Sequence, residues 1–266
     1  MKKAKTIVDD GAAAPALHPR DRIAGIERGL AILELFDRER PALTVTEVAR
    51  HADMTRSAAR RHLLTLASLG YLASDGKRFS LTPRVLKIGW SYFDSSPLPA
   101  LLRPYLQRIT AVTGEAVLAS VLDGSDVVFI ARNGSNRVLS SGFALGARAP
   151  AQLAVAGILL MAFEPEEKLD AWLDALVLVP FNPHTLIDKA LLRGEIEAAR
   201  RQGYALLEQQ QQVGVRGIAV PLRDRRGKLV AALSISMPMG GETARQALAR
   251  VLPVLQENAN ALIAAL

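Results

Sequence analysis

Apolar residues recur with helical spacing near the start of the chain. Ile26, Leu30 and Leu33, with Ile32 and Leu35 beside them, form a stripe that predicts a helix over 26–36. Pro41 closes it, because the residue before a proline is pushed out of helical conformation. Thr44 followed three residues later by Glu47 is a capping box and opens a short second helix. After a tight turn at Asp53 and Met54, a third helix runs over 55–69 and stops at Gly70. The period then drops to two. Residues 71–74 and 77–81 flank Asp75 and Gly76, a pair whose positive-φ preference predicts a β-hairpin. Three helices followed by a basic hairpin make a winged helix-turn-helix. A further helix is predicted over 83–92, and Asp94 to Pro97 breaks the pattern.

Beyond the break, helical and alternating patterns mix. Helices are predicted over 98–113, 151–163, 166–176, 188–202 (stopped by Gly203) and 243–266. Strands are predicted on either side of Asp123–Gly124 within 115–131, at 138–141 and 204–208, and as a hairpin of 217–222 with 229–237. This mixture indicates an α+β domain of the kind that senses a ligand. The expected organisation is a disordered arm over 1–20, a winged helix-turn-helix over 21–82, a linker helix over 83–97 and an effector-binding domain over 98–266. The stretch Gln209 to Gln212 is low in complexity.

Composition sharpens this outline. The chain has 266 residues, 50% of them hydrophobic and 22% charged, enough for two modest domains of ordinary globular character. Its formal net charge is +7, and residues 1–95 contribute +5 of that, with sixteen basic and eleven acidic residues. A basic excess concentrated in the first third suits a polyanionic partner. There is no cysteine, which excludes disulfide frameworks and thiol catalysis and fits a reducing cytoplasm. No apolar run reaches the ~20 residues needed to cross a bilayer, so no membrane partner is expected.

The third helix carries the candidate chemistry. At 100° per residue Ala59, Leu63 and Leu66 share the core side, Ser57 and Arg61 lie nearly opposite, and Ala58 and Arg60 flank them. An arginine so placed can pair with both acceptors of guanine in the major groove. Thr55 caps the helix, and Thr44 caps the one before it. Arg56, Lys77 and Arg78 are placed for phosphate, which adds affinity without sequence information. The expected DNA-contact set is therefore Thr44, Thr55, Arg56, Ser57, Ala58, Arg60, Arg61, Lys77 and Arg78.

These residues bring a family into view. The segments IERGLAILELF, LTVTEVARHADMTRSAARRHLLTLASLGYL and DGKRFSLTPRVLKIGWSYF resemble the N-terminal domain of IclR-type transcription regulators. The likeness continues through LPALLRPYLQRITAVTGEAVLASVLDGSDVVFIAR, FALGARAPAQLAVAG and VGVRGIAVPLRDRRGKLVAALSIS. It is strongest towards the branch that controls aromatic-acid catabolism, the protocatechuate and 4-hydroxybenzoate regulators. The resemblance implies a homodimer or dimer of dimers on double-stranded operator DNA, and a GAF-like α+β domain that binds a small organic, aromatic-type effector. It implies no cofactor and no metal. Carried onto this chain, the effector site comprises Gly146, Ala149, Gln152, Leu153, Ala156 and Gly157, faced by Glu208, Val215, Gly217, Ser234 and Ser236.

Departures from the family pattern fall in that site. Leu153, Ala154 and Val155 stand where relatives often carry Cys, Thr or Ser, and Gly217 stands where Ser or Cys is common. Fewer hydroxyls mean fewer donors for a buried carboxylate, so the expected ligand is less polar than the family norm. Backbone N–H groups of residues 149–152, at an expected helix start, remain as anion donors. The alternatives are a ligand-independent regulator, whose C-terminal domain only assembles oligomers, and an enzyme. The last finds no support in sequence: residues 96–266 hold a single histidine, His184, and no nucleophile elbow, P-loop or H-E-x-x-H motif.

Overall fold

The computed structural model describes residues 18–134 and 144–266, so the expected arm (residues 1–17 of it) and the strand at 138–141 lie outside the described residues. The chain divides into two compact units after Tyr92.

The first unit contains α1 (Ala24–Glu34), β1 (Leu43–Thr44), α2 (Val45–His51), α3 (Arg56–Ser68), β2 (Leu72–Ser74) and β3 (Arg78–Leu81). The three strands form an antiparallel sheet in the order β1-β3-β2. Ile32, Leu43, Val48, Ala59, Leu63, Leu72 and Phe79 close one small core beneath it. The α1 stripe does not all enter that core. Ile32 is fully buried, whereas Ile26 is 58% and Leu30 50% exposed. The capping box of α2 forms as expected: the Glu47 N–H donates to Thr44 Oγ1 (3.3 Å), and the Thr44 N–H and hydroxyl both donate to Glu47 Oε2 (2.7 and 2.8 Å). These bonds hold the Glu47 carboxyl below its ordinary pKa. The hairpin turn departs by one residue from expectation. The Asp75 N–H donates to Arg78 O, so Gly76 and Lys77 are its central pair, and of the two only Gly76 has positive φ (95°). The Asp75 carboxylate instead accepts the Lys77 and Arg78 N–H groups. A short 3₁₀ turn (Pro83–Val85) leads into α4 (Leu86–Ser95), which runs across the division between the units.

The second unit holds α5 (Pro97–Thr113), β4 (Ala116–Asp123), β5 (Asp126–Asn133), β6 (Arg148–Pro150), α6 (Val155–Met161), α7 (Glu166–Ala175), α8 (Lys189–Gln202), β7 (Ala205–Glu208), β8 (Val215–Arg223), β9 (Leu229–Pro238) and α9 (Ala244–Ile263). The strands make one antiparallel sheet, β6-β5-β4-β9-β8-β7, buried on both faces. Strand alternation sorts the side chains. Val117, Ala119, Ile218 and Val220 pack with α5 and α9; Leu118, Phe129, Leu207 and Ala219 pack with α6, α7 and α8. The helix expected over 151–163 is broken. Residues Ala151–Leu153 form a 3₁₀ turn, Ala154 is extended (φ −103°, ψ 130°), and α6 begins only at Val155. Gly157 makes this packing feasible: a Cβ there would lie 2.2 Å from Ala151 O.

Candidate nucleic-acid interface and ligand pocket

In α3 the Thr55 hydroxyl accepts the Ala58 N–H (3.2 Å) and lies 3.1 Å from Ser57 Oγ, which fixes the first turn. Ala59, Leu63 and Leu66 are buried, and Arg56, Ser57, Arg60 and Arg61 are exposed on the other side. Ala58 is half-buried at the flank. Lys77 and Arg78 are exposed on the wing. Among the described residues, none of these five basic side chains forms an ion pair. Thr44 differs from the rest of the expected set. Its hydroxyl is engaged in the α2 cap on both its donor and acceptor sides, which leaves its role structural. It still ties α2 to the wing, because Thr44 pairs with Arg78 across β1 and β3.

The second unit holds an open pocket of about 540 Å³, part of it continuous with solvent, between the sheet, α6 and the 209–212 loop. Antiparallel register builds its floor. One cross-sheet row runs Leu207, Gly217, Ser236, Ala116; the next runs Ala205, Ala219, Ser234, Leu118. Six of the expected residues line the pocket: Leu153, Ala156, Val215, Gly217, Ser234 and Ser236. Ser234 is 2% and Ser236 9% exposed, and among the described residues neither hydroxyl has a hydrogen-bond partner. Among the described residues, no charged side chain lines the pocket.

The other five expected residues lie elsewhere, each for a local reason. Gly146 is a left-handed turn residue (φ 78°) ahead of β6. Ala149 is a buried strand residue in β6. Gln152 sits in the 3₁₀ turn, with Oε1 buried and unpaired. Gly157 faces Ala151. Glu208 follows Leu207 by one residue in β7 and so points to the opposite face. There it meets Arg216, which is 2% exposed and donates to Glu208 Oε1 from Nε (2.7 Å), with Nη2 2.6 Å from the same oxygen, and to Glu242 O from Nη1 (3.0 Å). The anion site expected from residues 149–152 is also displaced. The Ala151 N–H donates to Ser125 O, and the helix starts four residues later.

Sequence reasoning missed Leu118, Phe129, Leu207 and the glutamine loop as pocket walls, and had Ala154 and Val155 in the site only as departures from the family pattern. Strand alternation held the signal for Leu118, Phe129 and Leu207, but only once register was known. The glutamine run is a built wall. Gln210 accepts the Leu186 N–H through Oε1 (2.7 Å) and donates through Nε2 to His184 O and Glu208 O (3.0 Å each). Asn182 Nδ2 donates to Gln209 O and Gln210 O. Gln209, at φ 60°, accepts the Gly214 N–H.

Comparison with known proteins places this architecture. The IclR helix-turn-helix domain matches residues 25–76, and the C-terminal domain of bacterial IclR transcriptional regulators matches residues 90–264. The chain is 35% identical to the Pca operon regulatory protein of Acinetobacter baylyi, over 98% of this chain and 95% of that one. A solved transcriptional-regulator structure from Rhodococcus sp. RHA1 is 35% identical, with a TM-score of 0.75 over 91% of this chain and 98% of the other. The inducer-binding domain of PobR from Acinetobacter, a double mutant in complex with 3-hydroxybenzoic acid, is 29% identical. Its TM-score is 0.58, over 62% of this chain and 97% of the other.

Proposed function

Because this chain belongs to the IclR family of bacterial transcriptional regulators, we propose that it controls aromatic-compound catabolism genes by coupling operator binding to a small aromatic ligand. The observation that carries the ligand half is the pocket. Phe129, Leu118 and Leu207 offer an apolar bed for a ring, and two hydroxyls without a partner among the described residues, Ser234 and Ser236, lie on the sheet floor. A buried polar group gains most from a ligand that completes its hydrogen bonds. A ring with oxygen substituents meets both demands, and the PobR complex supports the same class.

For the DNA half, α3 enters the major groove with Arg60 and Arg61 towards base edges, and Arg56, Lys77 and Arg78 hold phosphate. Operator binding calls for two such helices about one helical turn of DNA apart, and hence a homodimer. Exposed apolar residues on α1 (Ile26 and Leu30) and α4 (Leu86 and Ile88, at 69% and 50% exposure) supply apolar surface that a second copy would cover. We read the second unit as a sensor and not an enzyme, acting in the cytoplasm where operator DNA lies. Its lone histidine, His184, is exposed on a loop that its backbone serves by accepting Gln210 Nε2.

The test is a titration of the DNA upstream of the protein's own gene, with and without 3- and 4-hydroxybenzoate. Coupling of the usual size shifts operator affinity ~5- to 150-fold. Affinity unmoved by any single-ring aromatic acid, aldehyde or amide would leave the second unit as an assembly module only.

A further inference from the structure

Gly217, the third residue of β8, has no backbone reason to be glycine. Its φ is not positive, and a glycine inside a strand is less stable there than alanine. The reason lies across the pocket. A Cβ on Gly217 would fall 2.7 Å from Val155 Cγ1 and 3.0 Å from Val155 Cβ. Real Cβ atoms do not approach branched carbons so closely, so the side chain of Val155 occupies the space that any residue but glycine would claim at 217. Val155 is the first residue of α6 and is 8% exposed. Leu207 and Ser236 flank Gly217 in the same cross-sheet row, and all four residues line the pocket. The isopropyl group of Val155 therefore stands on the pocket floor as a post.

We propose that the Val155–Gly217 contact is the size determinant of the ligand pocket, restricting it to a single aromatic ring placed beside the post. The inference rests on the reading of this pocket as the aromatic-ligand site and adds its selectivity. Two methyl groups removed at Val155, with Gly217 kept, join the floor row Leu207–Gly217–Ser236 to the rest of the cavity. The enlarged slot accepts a fused second ring. A methyl group returned from the sheet side at position 217 partly refills that space.

The experiment is isothermal titration of the full chain with two probes of matched polarity, 3-hydroxybenzoate and 6-hydroxy-2-naphthoate. Wild type binds the single ring more tightly. Val155→Ala moves the ratio of affinities towards the naphthoate by about tenfold or more, since one methylene in an apolar pocket discriminates ~10- to 200-fold. Val155→Ser leaves one γ atom where valine has two and moves the ratio in the same direction by less, which serves if the alanine variant is unstable. Val155→Thr, matched to valine in bulk, keeps the wild-type ratio, and Val155→Ala/Gly217→Ala moves the ratio back from the single variant. Hydroxybenzoate binding with a ratio unmoved by Val155→Ala and Val155→Ser overturns the size role but leaves the aromatic-ligand reading intact. So does a wild type that takes both probes equally. Failure of wild type to bind either probe overturns both.

Discussion

In the first unit the proposed DNA contacts come from one helix and one hairpin within 24 residues of sequence, exposed except for the half-buried Ala58, and among the described residues the basic ones form no ion pair. In the second unit the pocket draws on β4, β5, β7, β8, β9, the 3₁₀ turn, α6 and a loop, with almost every contributor partly or wholly buried. The two arginine populations make the contrast concrete. Arg60 and Arg61 keep their guanidinium groups in solvent, where a polyanion can take them. Arg216 is enclosed, spends its donors on Glu208 and the Glu242 carbonyl, and holds β7, β8 and the start of α9 together. A surface meant for a large partner leaves its charges uncommitted; a site meant for a small ligand commits its charges to the frame and leaves a few neutral groups open.

The largest effect that could break this contrast is at Arg216. Arg216→Ala strands the Glu208 carboxylate and empties a fully buried volume, and is expected to destabilise the second unit by ~3–5 kcal/mol. Arg61→Ala is expected to leave stability within ~0.5 kcal/mol. Denaturant unfolding of the two variants checks this, and equal stability losses would erase the distinction between frame and reading surface.

How far each region could be read from sequence follows from the same contrast. Periodicity, a capping box and a glycine stop identified α2, α3 and the wing, because each is determined by residues a few positions apart. The pocket depends on register between strands distant in sequence. Glu208 therefore sat in the right segment but on the wrong face, one residue from Leu207. The break at Ala154, which separates the 3₁₀ turn from α6, has no proline or polar cap to announce it. Gly217 gave no turn signal, because its constraint is Val155, 62 positions away. The exposed half of the α1 stripe misled in another way: helical periodicity marks an apolar face but does not say whether this chain or a second copy covers it.

Thr44→Ala removes the α2 cap and is expected to cost ~1 kcal/mol in unfolding experiments, and operator affinity falls only as far as the wing shifts. A loss of affinity without any loss of stability would return Thr44 to the DNA-contact set. Ser234→Ala and Ser236→Ala should each weaken ligand binding by ~0.5–1.5 kcal/mol in titration calorimetry, with little effect on DNA affinity in the absence of ligand.

The smallest expected effect is on acid stability. The Arg250 guanidinium holds the Glu242 carboxyl below its ordinary value. A folded-state pKa below the unfolded one contributes stability at neutral pH that is lost as pH falls through the folded value. Melting temperature should therefore drop less steeply below pH ~4.3 in Glu242→Gln than in wild type. An identical acid profile would assign the interaction no weight.

On the proposed interface, sequence specificity comes from Arg60 and Arg61 reading base edges. The direct measurement is the ratio of operator to scrambled-sequence affinity, at fixed salt, for wild type and for Arg60→Ala/Arg61→Ala. At ~1–3 kcal/mol of discrimination per arginine–guanine pair, the ratio is expected to collapse at least tenfold, while Lys77→Ala lowers both affinities alike. A double variant that keeps the wild-type ratio would contradict this assignment.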